Sequence, residues 1–120
     1  MISKKDMSED DIRTKYIIPA LQKSGWDIHN QVREQVYFTD GRIFVKGNTT
    51  RRGERKFADI ILYYKPNIPI AIIEIKKNTL AMGAGIQQGL DYAVTLDLPL
   101  AFSTNGDGFV QHDRSGGLSP

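Results

Sequence analysis

The spacing of apolar residues near the start of the chain predicts a helix over residues 9–23. Apolar side chains recur there at helical intervals, and Ser8 precedes them as a residue type that caps helix N-termini. Acidic residues fill the first turn, where the helix dipole favours negative charge. Gly25 ends the pattern, and Pro19 inside it predicts a kink or an early break, because proline has no N–H to donate.

β-Branched and aromatic runs in the middle of the chain predict the strands of a sheet. A strand over residues 31–38 is followed by the turn "TDGR", and residues 43–47 can pair back with it as a hairpin. Residues 59–64 and 68–76 are the most apolar strands, and "KPN" between them predicts the chain reversal. These two strands are expected at the centre of the sheet.

The last third of the sequence predicts a helix and two shorter strands. Residues 83–96 carry apolar side chains at helical spacing, residues 98–104 form a short apolar run, and residues 108–113 can form a final strand. We take the order of the core elements as α-β-β-β-α-β, which indicates an α/β fold with a central mixed β-sheet flanked by helices. We expect one domain over residues 1–112 and a linker-like tail at 113–120, in a chain that is a fragment of a larger subunit.

Composition narrows the class of protein. The chain has 120 residues, 40% of them hydrophobic and 25% charged, which suits one globular domain. The absence of cysteine fits a reducing cytoplasm, and no apolar run is long enough to span a membrane. The net charge of +2 is unevenly spread, because five cations fall in "KGNTTRRGERK". Arg51, Arg52, Arg55 and Lys56 are therefore predicted to contact nucleic-acid phosphates, although a solvated basic loop is the alternative.

Charged residues within the apolar strands are the main indication of chemistry. Side chains alternate faces along a strand, so Glu74 and Lys76 point the same way. Asp59 begins the preceding strand, and the midpoint between Asp59 and Lys76 falls near Asn67, where "KPN" predicts the turn. The hairpin is therefore expected to bring Asp59 beside the Glu74–Lys76 end.

Two converging carboxylates repel each other unless a cation compensates, and Mg²⁺ prefers oxygen ligands. Asp59, Glu74 and the Ile75 carbonyl are thus predicted metal ligands. Lys76 would hold or deprotonate the attacking water in phosphodiester hydrolysis. The alternative is structural: Asp59 only begins a strand, and Glu74 and Lys76 form an ion pair on a half-exposed sheet.

Several stretches together resemble a known family. They are "RTKYIIPALQKSGW", "TDGR", "ADIILYYKPNIPIAIIEIKK", "AGIQQGLDYA" and "PLAFSTNGDGF". The chain in this respect resembles the PD-(D/E)xK nucleases, and among them the N-terminal endonuclease domain of the restriction (R) subunit of type I restriction-modification enzymes. The family motif maps onto Asp59, Glu74 and Lys76, with Ala58 where the motif has proline. The resemblance implies a restriction-endonuclease-like core.

The resemblance also implies further site residues. A Q-x-x-x-Y element matches Gln88 and Tyr92, whose i, i+4 spacing places both on one helix face near the metal or the DNA; a solvated Gln and a packed Tyr are the alternative. An acid from the first helix completes such sites, and Asp11 matches better than Glu9 or Asp10. Glu34 also matches a position of the family, but we assign it no role. His29 and His112 are expected at the surface, without a catalytic role.

By resemblance, this is a Mg²⁺-dependent type I site-specific deoxyribonuclease domain, with Mn²⁺ able to substitute, that cuts double-stranded DNA without its own base recognition. No G-x-x-x-x-G-K-[ST] loop is present, so ATP would act only through motor domains outside the chain. The implied partners are DNA, the helicase motor domains of the same subunit, and the modification and specificity subunits, with no membrane. The alternatives are a free-standing repair or junction nuclease of this fold and a non-catalytic DNA-binding or assembly module.

Overall fold

The computed structural model describes residues 2–39, 42–44 and 56–115. Its centre is a six-stranded sheet in the order β2-β1-β3-β4-β5-β6. The strands are β1 (Val32–Thr39), β2 (Arg42–Phe44), β3 (Lys56–Lys65), β4 (Ile68–Ile75), β5 (Leu100–Thr104) and β6 (Phe109–Asp113). All neighbours pair antiparallel except β4 and β5, which are parallel, so the predicted mixed sheet is confirmed.

Helices lie on both faces of this sheet. A 3₁₀ turn (Lys4–Asp6) precedes the first helical region, which runs through α1 (Glu9–Ile12), a π-helical turn (Arg13–Ile17) and α2 (Ile18–Lys23). The short helix α3 (Ile28–Gln31) leads into β1, and α4 (Ile86–Leu96) connects β4 to β5. None of the helices in the described ranges is long and apolar enough to cross a membrane.

The predicted helix over residues 9–23 is confirmed, and of the two effects expected of Pro19, a kink or an early break, the early break does not occur. The helical path continues through Pro19, which lies at the start of α2, and the turn before it widens so that the Ile18 N–H donates to the Arg13 carbonyl. A proline cannot donate to the residue four positions earlier, and a π-helical turn is one way in which a helix absorbs that missing bond. The proline therefore changes the helix type locally without ending the helix.

The β3–β4 hairpin forms where the sequence predicted it. Ile60 pairs with Ile73 and Leu62 with Ala71, and the two-residue turn at Pro66 and Asn67 lies between the strands. Asn67 has a φ of 67°, a left-handed conformation that asparagine tolerates better than most residues. The pairing is irregular between Leu62 and Lys65, near the turn, and regular from Leu62 back to Ile60, so the predicted hairpin is confirmed.

Two apolar clusters sandwich this hairpin. On one face, Ile60 and Ile73 pack with residues from α1 and α2, and on the other, Ile61 and Ile72 pack with residues from α4. Because successive strand residues point to opposite faces, burial on both sides explains why β3 and β4 read as continuous apolar runs. A charged side chain at the end of these strands is therefore partly desolvated.

The remaining elements match their predictions within a few residues. Strand β1 lies one residue later than predicted, and α4 begins at Ile86, because residues 83–85 form a turn. The expected pairing of residues 43–47 with β1 is seen in β2, although residues 45–47 lie outside the described residues. Strand β6 pairs with β5, and just beyond it the Arg114 N–H donates to the Pro99 carbonyl over 2.7 Å.

Candidate active site

The antiparallel register of β3 and β4 brings Asp59 beside Glu74. The two positions lie one step beyond the Ile60–Ile73 pair, at the end of the hairpin away from its turn. The Asp59 Oδ2 atom accepts a hydrogen bond of 2.7 Å from the Ile75 N–H, and the Glu74 Oε2 atom lies 3.5 Å from the Asp59 N–H. The structure thus places the two predicted metal-binding carboxylates together.

Burial and mutual repulsion make this pair of carboxylates costly to ionise. Glu74 is only 3% exposed, and its burial, followed by the neighbouring charge of Asp59, raises its pKa to about 8. Burial is also the main reason that the pKa of Asp59 is raised, although the hydrogen bond from Ile75 opposes that shift. Without a compensating cation, the pair therefore retains protons that exposed carboxylates release.

The donor atoms at this position suit a hard divalent cation. Asp59 and Glu74 provide carboxylate oxygens, and Ile75, whose N–H already holds Asp59, provides a main-chain carbonyl close by in sequence. Magnesium needs only one or two protein carboxylates and keeps several waters or substrate oxygens. Among the residues that the structure describes, no group of three or more His, Cys, Asp or Glu side chains is arranged to hold a metal.

Lys76, Gln88 and Tyr92 form a chain of polar contacts next to the carboxylates. The Lys76 Nζ atom donates to the Gln88 Oε1 atom over 3.4 Å, and the Gln88 Nε2 atom donates to the Tyr92 hydroxyl over 2.8 Å. The Tyr92 ring packs edge-on against Phe38, with 4.9 Å between the ring centroids. Residues 88 and 92 therefore lie on one face of α4, and that face points to the lysine.

Two glycines let α4 and the turn before it lie close to the end of β4 that carries Glu74 and Lys76. A Cβ atom on Gly85 would lie 3.2 Å from both the Glu74 Cβ and the Lys76 Cε atoms. A Cβ atom on Gly89 would lie 3.7 Å from the Glu74 Cγ atom, which is an ordinary contact. The tighter approach is therefore at Gly85, where a side chain would press on both functional residues.

The acids of the first helix have different surroundings. Asp11 belongs to a capping box: its N–H donates to the Ser8 hydroxyl over 3.0 Å, and its carboxylate accepts from the Ser8 N–H over 3.3 Å. Asp10 accepts a hydrogen bond from Arg13. Glu9 is exposed, and its charge contributes to raising the pKa values of both Asp59 and Glu74. Glu9 is therefore a second candidate for the additional acid, beside Asp11, which the sequence favoured.

Glu34 forms an ion pair with Arg13, and the two histidines are at the surface. The Glu34 Oε1 atom accepts a 2.8 Å hydrogen bond from the Arg13 Nε atom, which joins β1 to the π-helical turn. Arg13 is one of the charges that lower the pKa of Asp59, so this ion pair holds a cation within electrostatic reach of the site. His29 and His112 are exposed, as expected.

The basic segment is described only at its end. Arg51, Arg52 and Arg55 lie outside the described residues, whereas Lys56 is partly buried at the start of β3, three residues before Asp59. The predicted phosphate contacts of this segment therefore stay a prediction.

Comparison with known proteins identifies the class of protein to which this fold and site belong. Residues 27–115 match the family described as "Type I restriction enzyme R protein N terminus (HSDR_N)". The chain is 46% identical over 110 residues to the type I restriction enzyme EcoAI endonuclease subunit of Escherichia coli. It therefore belongs to the family of type I restriction enzyme R protein N-terminal domains.

A solved structure has the same fold. It is a fragment from Vibrio vulnificus YJ016 assigned to the HsdR subunit of a type I restriction enzyme, 41% identical with a TM-score of 0.76. The chain has a restriction-endonuclease-like fold. The matches cover 92% of the chain but only 14% of the Escherichia coli subunit and 22% of the Vibrio chain. The present chain is thus similar to a minor part of each relative.

The raised pKa of Glu74 makes the stability of the metal-free protein depend on pH. The folded protein keeps this proton up to about pH 8, whereas the unfolded chain releases it near 4.5, the ordinary pKa of a glutamate. The stability that the proton provides is therefore present below pH 4.5 and declines as the pH rises towards 8. Glu74→Gln does not titrate, so its free energy of unfolding should rise relative to the parent over this range.

Urea unfolding with a chelator, near pH 5 and about pH 9, measures the difference. Asp91→Asn, at an exposed site on α4, is the control, and an equal response of both variants to pH would contradict the account.

A methyl group at Gly85 should disturb the site more than one at Gly83. Gly85→Ala adds an atom 3.2 Å from the Glu74 Cβ atom, which the strand holds in place, whereas Gly83→Ala meets Val110 no closer than 3.4 Å. We expect Gly85→Ala to lower the DNA cleavage rate about tenfold, since small displacements of catalytic groups are costly. Gly83→Ala should stay within about twofold of the parent. Equal rates for the two variants in a plasmid cleavage assay with the assembled enzyme would show that the contact at Gly85 is unimportant.

Proposed function

We propose that this chain is the DNA-cleaving domain of a type I restriction enzyme R subunit, and that it hydrolyses phosphodiester bonds of double-stranded DNA with Mg²⁺. The observation that carries the proposal is the convergence of Asp59 and Glu74 beside Lys76 at one end of the hairpin. Family membership supports the same reading, because the Escherichia coli relative is named as an endonuclease subunit. The PD-(D/E)xK assignment of the motif belongs to this proposal.

The carboxylates and one carbonyl would hold the cation. Asp59 and Glu74 are buried enough that their charges are costly alone, which favours a bound cation between them. The Ile75 carbonyl is the third proposed ligand, and Mn²⁺ should occupy the same oxygen site. The cation would supply Lewis-acid stabilisation of the charge that develops on the phosphate oxygens.

Lys76 would act on the water that attacks phosphorus. Its N–H donates to the Thr104 carbonyl over 2.9 Å, so neighbouring strand β5 fixes its main chain. Its ammonium meets Gln88, and that residue is in turn held by Tyr92. We assign to this chain of contacts the orientation of the ammonium towards the attacking water. Groups that are held in place in this way stabilise a transition state without reorganising.

Glu9 is proposed as the additional acid of the site in place of Asp11. Its charge reaches both carboxylates, while the Asp11 carboxylate caps α1. Glu9 lies at the start of α1, from which an exposed carboxylate can contact a metal-bound water.

DNA binding would depend on phosphates and not on bases. The basic segment precedes Asp59 in sequence, and Lys56, its last residue, begins the strand that carries Asp59. We propose that its cations contact the phosphate backbone and not the base edges. We propose that target choice comes from the specificity and modification subunits, and that ATP acts through helicase motor domains elsewhere in the R subunit. A free-standing nuclease is less well supported, since the chain matches only a minor part of its longer relatives.

Alanine at any of the three core positions should abolish cleavage in the assembled enzyme. Asp59→Ala, Glu74→Ala and Lys76→Ala should each lower the rate on the order of 100-fold or more, because each removes charge stabilisation at the reacting phosphate. Plasmid linearisation with Mg²⁺ measures the rates, and Asp91→Ala, on the exposed side of α4, is the control. Normal cutting by any of the three variants would refute the site assignment. Loss of cutting with unchanged DNA binding would separate a nuclease from a non-catalytic DNA-binding module.

Changes on α4 should have intermediate effects. Gln88→Ala removes the partner of Lys76, and Tyr92→Phe removes only the hydroxyl that holds Gln88. We expect rate losses of about tenfold for the first and a few-fold for the second. If both variants match the parent in cleavage rate and DNA affinity, α4 is only a scaffold.

A further inference from the structure

A cluster of buried polar side chains outside the proposed catalytic set holds the connection between β4 and α4. This connection, residues 76–85, leaves the sheet at Lys76 and returns at the start of the helix that carries Gln88. Asn78, Ser103 and Asn105 are all nearly inaccessible to solvent. Buried polar groups persist in proteins when their hydrogen bonds are made, so their partners indicate their role.

Ser103 lies at the inner end of this connection. It pairs with Glu74 in the parallel register of β4 and β5 and is 0% exposed. Its Oγ atom accepts a 2.9 Å hydrogen bond from the Gly85 N–H and donates a 2.7 Å hydrogen bond to the Met82 carbonyl. One hydroxyl thus joins the strand beside the catalytic carboxylate to two points of the turn that precedes α4.

The two asparagines hold the outer part of the same connection. The Asn105 Nδ2 atom donates to the Leu80 carbonyl over 2.7 Å, and the Asn78 Nδ2 atom donates to the Asn105 carbonyl over 2.9 Å. Together with Ser103, they attach the connection to the end of β5 at four points along its length. A segment without regular secondary structure is thereby held in one conformation.

This attachment reaches the functional side chains through Gly85. A Cβ atom at residue 85 would lie 3.1 Å from the Ser103 Oγ atom and 3.2 Å from the Lys76 Cε atom, so the turn packs directly on the lysine side chain. Three residues later, Gln88 receives the Lys76 ammonium. The position of the Gln88 amide therefore depends on where Ser103 holds Gly85.

We infer that Ser103 is a positioning residue for DNA cleavage: its hydroxyl fixes Gly85 and the first turn of α4 so that Gln88 meets the Lys76 ammonium. This inference rests on the proposed nuclease function, because it assigns Ser103 a role through Lys76. Ser103 does not contact the reacting atoms itself.

Thr104 provides a matched control on the neighbouring position. Its Oγ1 atom also makes two hydrogen bonds, donating to the Gly108 carbonyl and accepting from the Gly106 N–H, but these close the β5–β6 turn. Its side chain points to the opposite face of β5. Ser103→Ala and Thr104→Val each remove two hydrogen bonds of one buried hydroxyl, but only the first removes hydrogen bonds to the connection before α4. Thr104→Val keeps the main-chain carbonyl that accepts from the Lys76 N–H.

The first test compares cleavage by the assembled enzyme. Ser103→Ala should lower kcat about tenfold with little change in KM for DNA, and Thr104→Val should stay within about twofold of the parent. In a Gln88→Ala background, Ser103→Ala should cause no more than about a twofold further loss, because both changes act on one contact. Equal rates for Ser103→Ala and Thr104→Val, or full additivity with Gln88→Ala, would overturn the inference.

The second test uses neither metal nor DNA. In the metal-free R subunit, amide hydrogen exchange over residues 80–88 should be about tenfold faster in Ser103→Ala and unchanged in Thr104→Val. Unchanged exchange in Ser103→Ala would also overturn the inference. Asp59→Ala in the same cleavage assay separates the two claims: normal cutting by that variant would refute the proposed function, while the exchange result still decides whether Ser103 holds the connection.

Discussion

The close approach of two carboxylates at the end of a buried hairpin is the constraint on which the rest of the structure depends. The β3–β4 register places Asp59 against Glu74 and directs the Ile75 N–H to Asp59. Apolar helices cover both faces of these strands, so the charges are largely removed from water. Such a pair is unfavourable in isolation, and the pKa of each carboxyl is raised accordingly. A divalent cation between them would offset both costs, which is the reason we propose a metal site at this position.

The second layer of the site is built from glycines and hydroxyls more than from charges. Gly85 and Gly89 allow α4 to lie against Glu74, and Ser103 holds the turn before the helix. The helix then presents Gln88 to Lys76. The functional lysine is thereby held from two sides, by the β5 strand at its main chain and by α4 at its ammonium. Both supports come from parts of the chain that follow the motif itself.

The elements with regular periodicity could be predicted from the sequence. The position of Asn67 midway between Asp59 and Lys76 was sufficient to predict the hairpin, because antiparallel pairing preserves distance from the turn. The i, i+4 spacing of Gln88 and Tyr92 likewise predicted their shared face, and the structure joins them directly.

Contacts that depend on tertiary packing could not be predicted in this way. A helix can accommodate the missing N–H of Pro19 by breaking or by widening one turn, and the sequence does not show that the turn before Pro19 is π-helical. The pattern Ser8-x-x-Asp11 is itself a capping-box signal, and giving it more weight would have counted against Asp11 as the additional acid. Ser103 had no such signal, since "FSTNG" reads only as a strand running into a turn. Its role depends on the register of β4 with β5, which pairs residues far apart in sequence.

The most direct test of the central claim is a calorimetric titration of Mn²⁺ into the protein, alone and with a short DNA duplex, comparing the parent with Asp59→Asn. Asp91→Asn, which changes an exposed acid on α4, controls for the loss of one negative charge. The account predicts a binding heat in the parent and in Asp91→Asn that disappears in Asp59→Asn. Equal heats in the parent and Asp59→Asn, or no binding by the parent even with DNA, would contradict a metal site formed by Asp59 and Glu74.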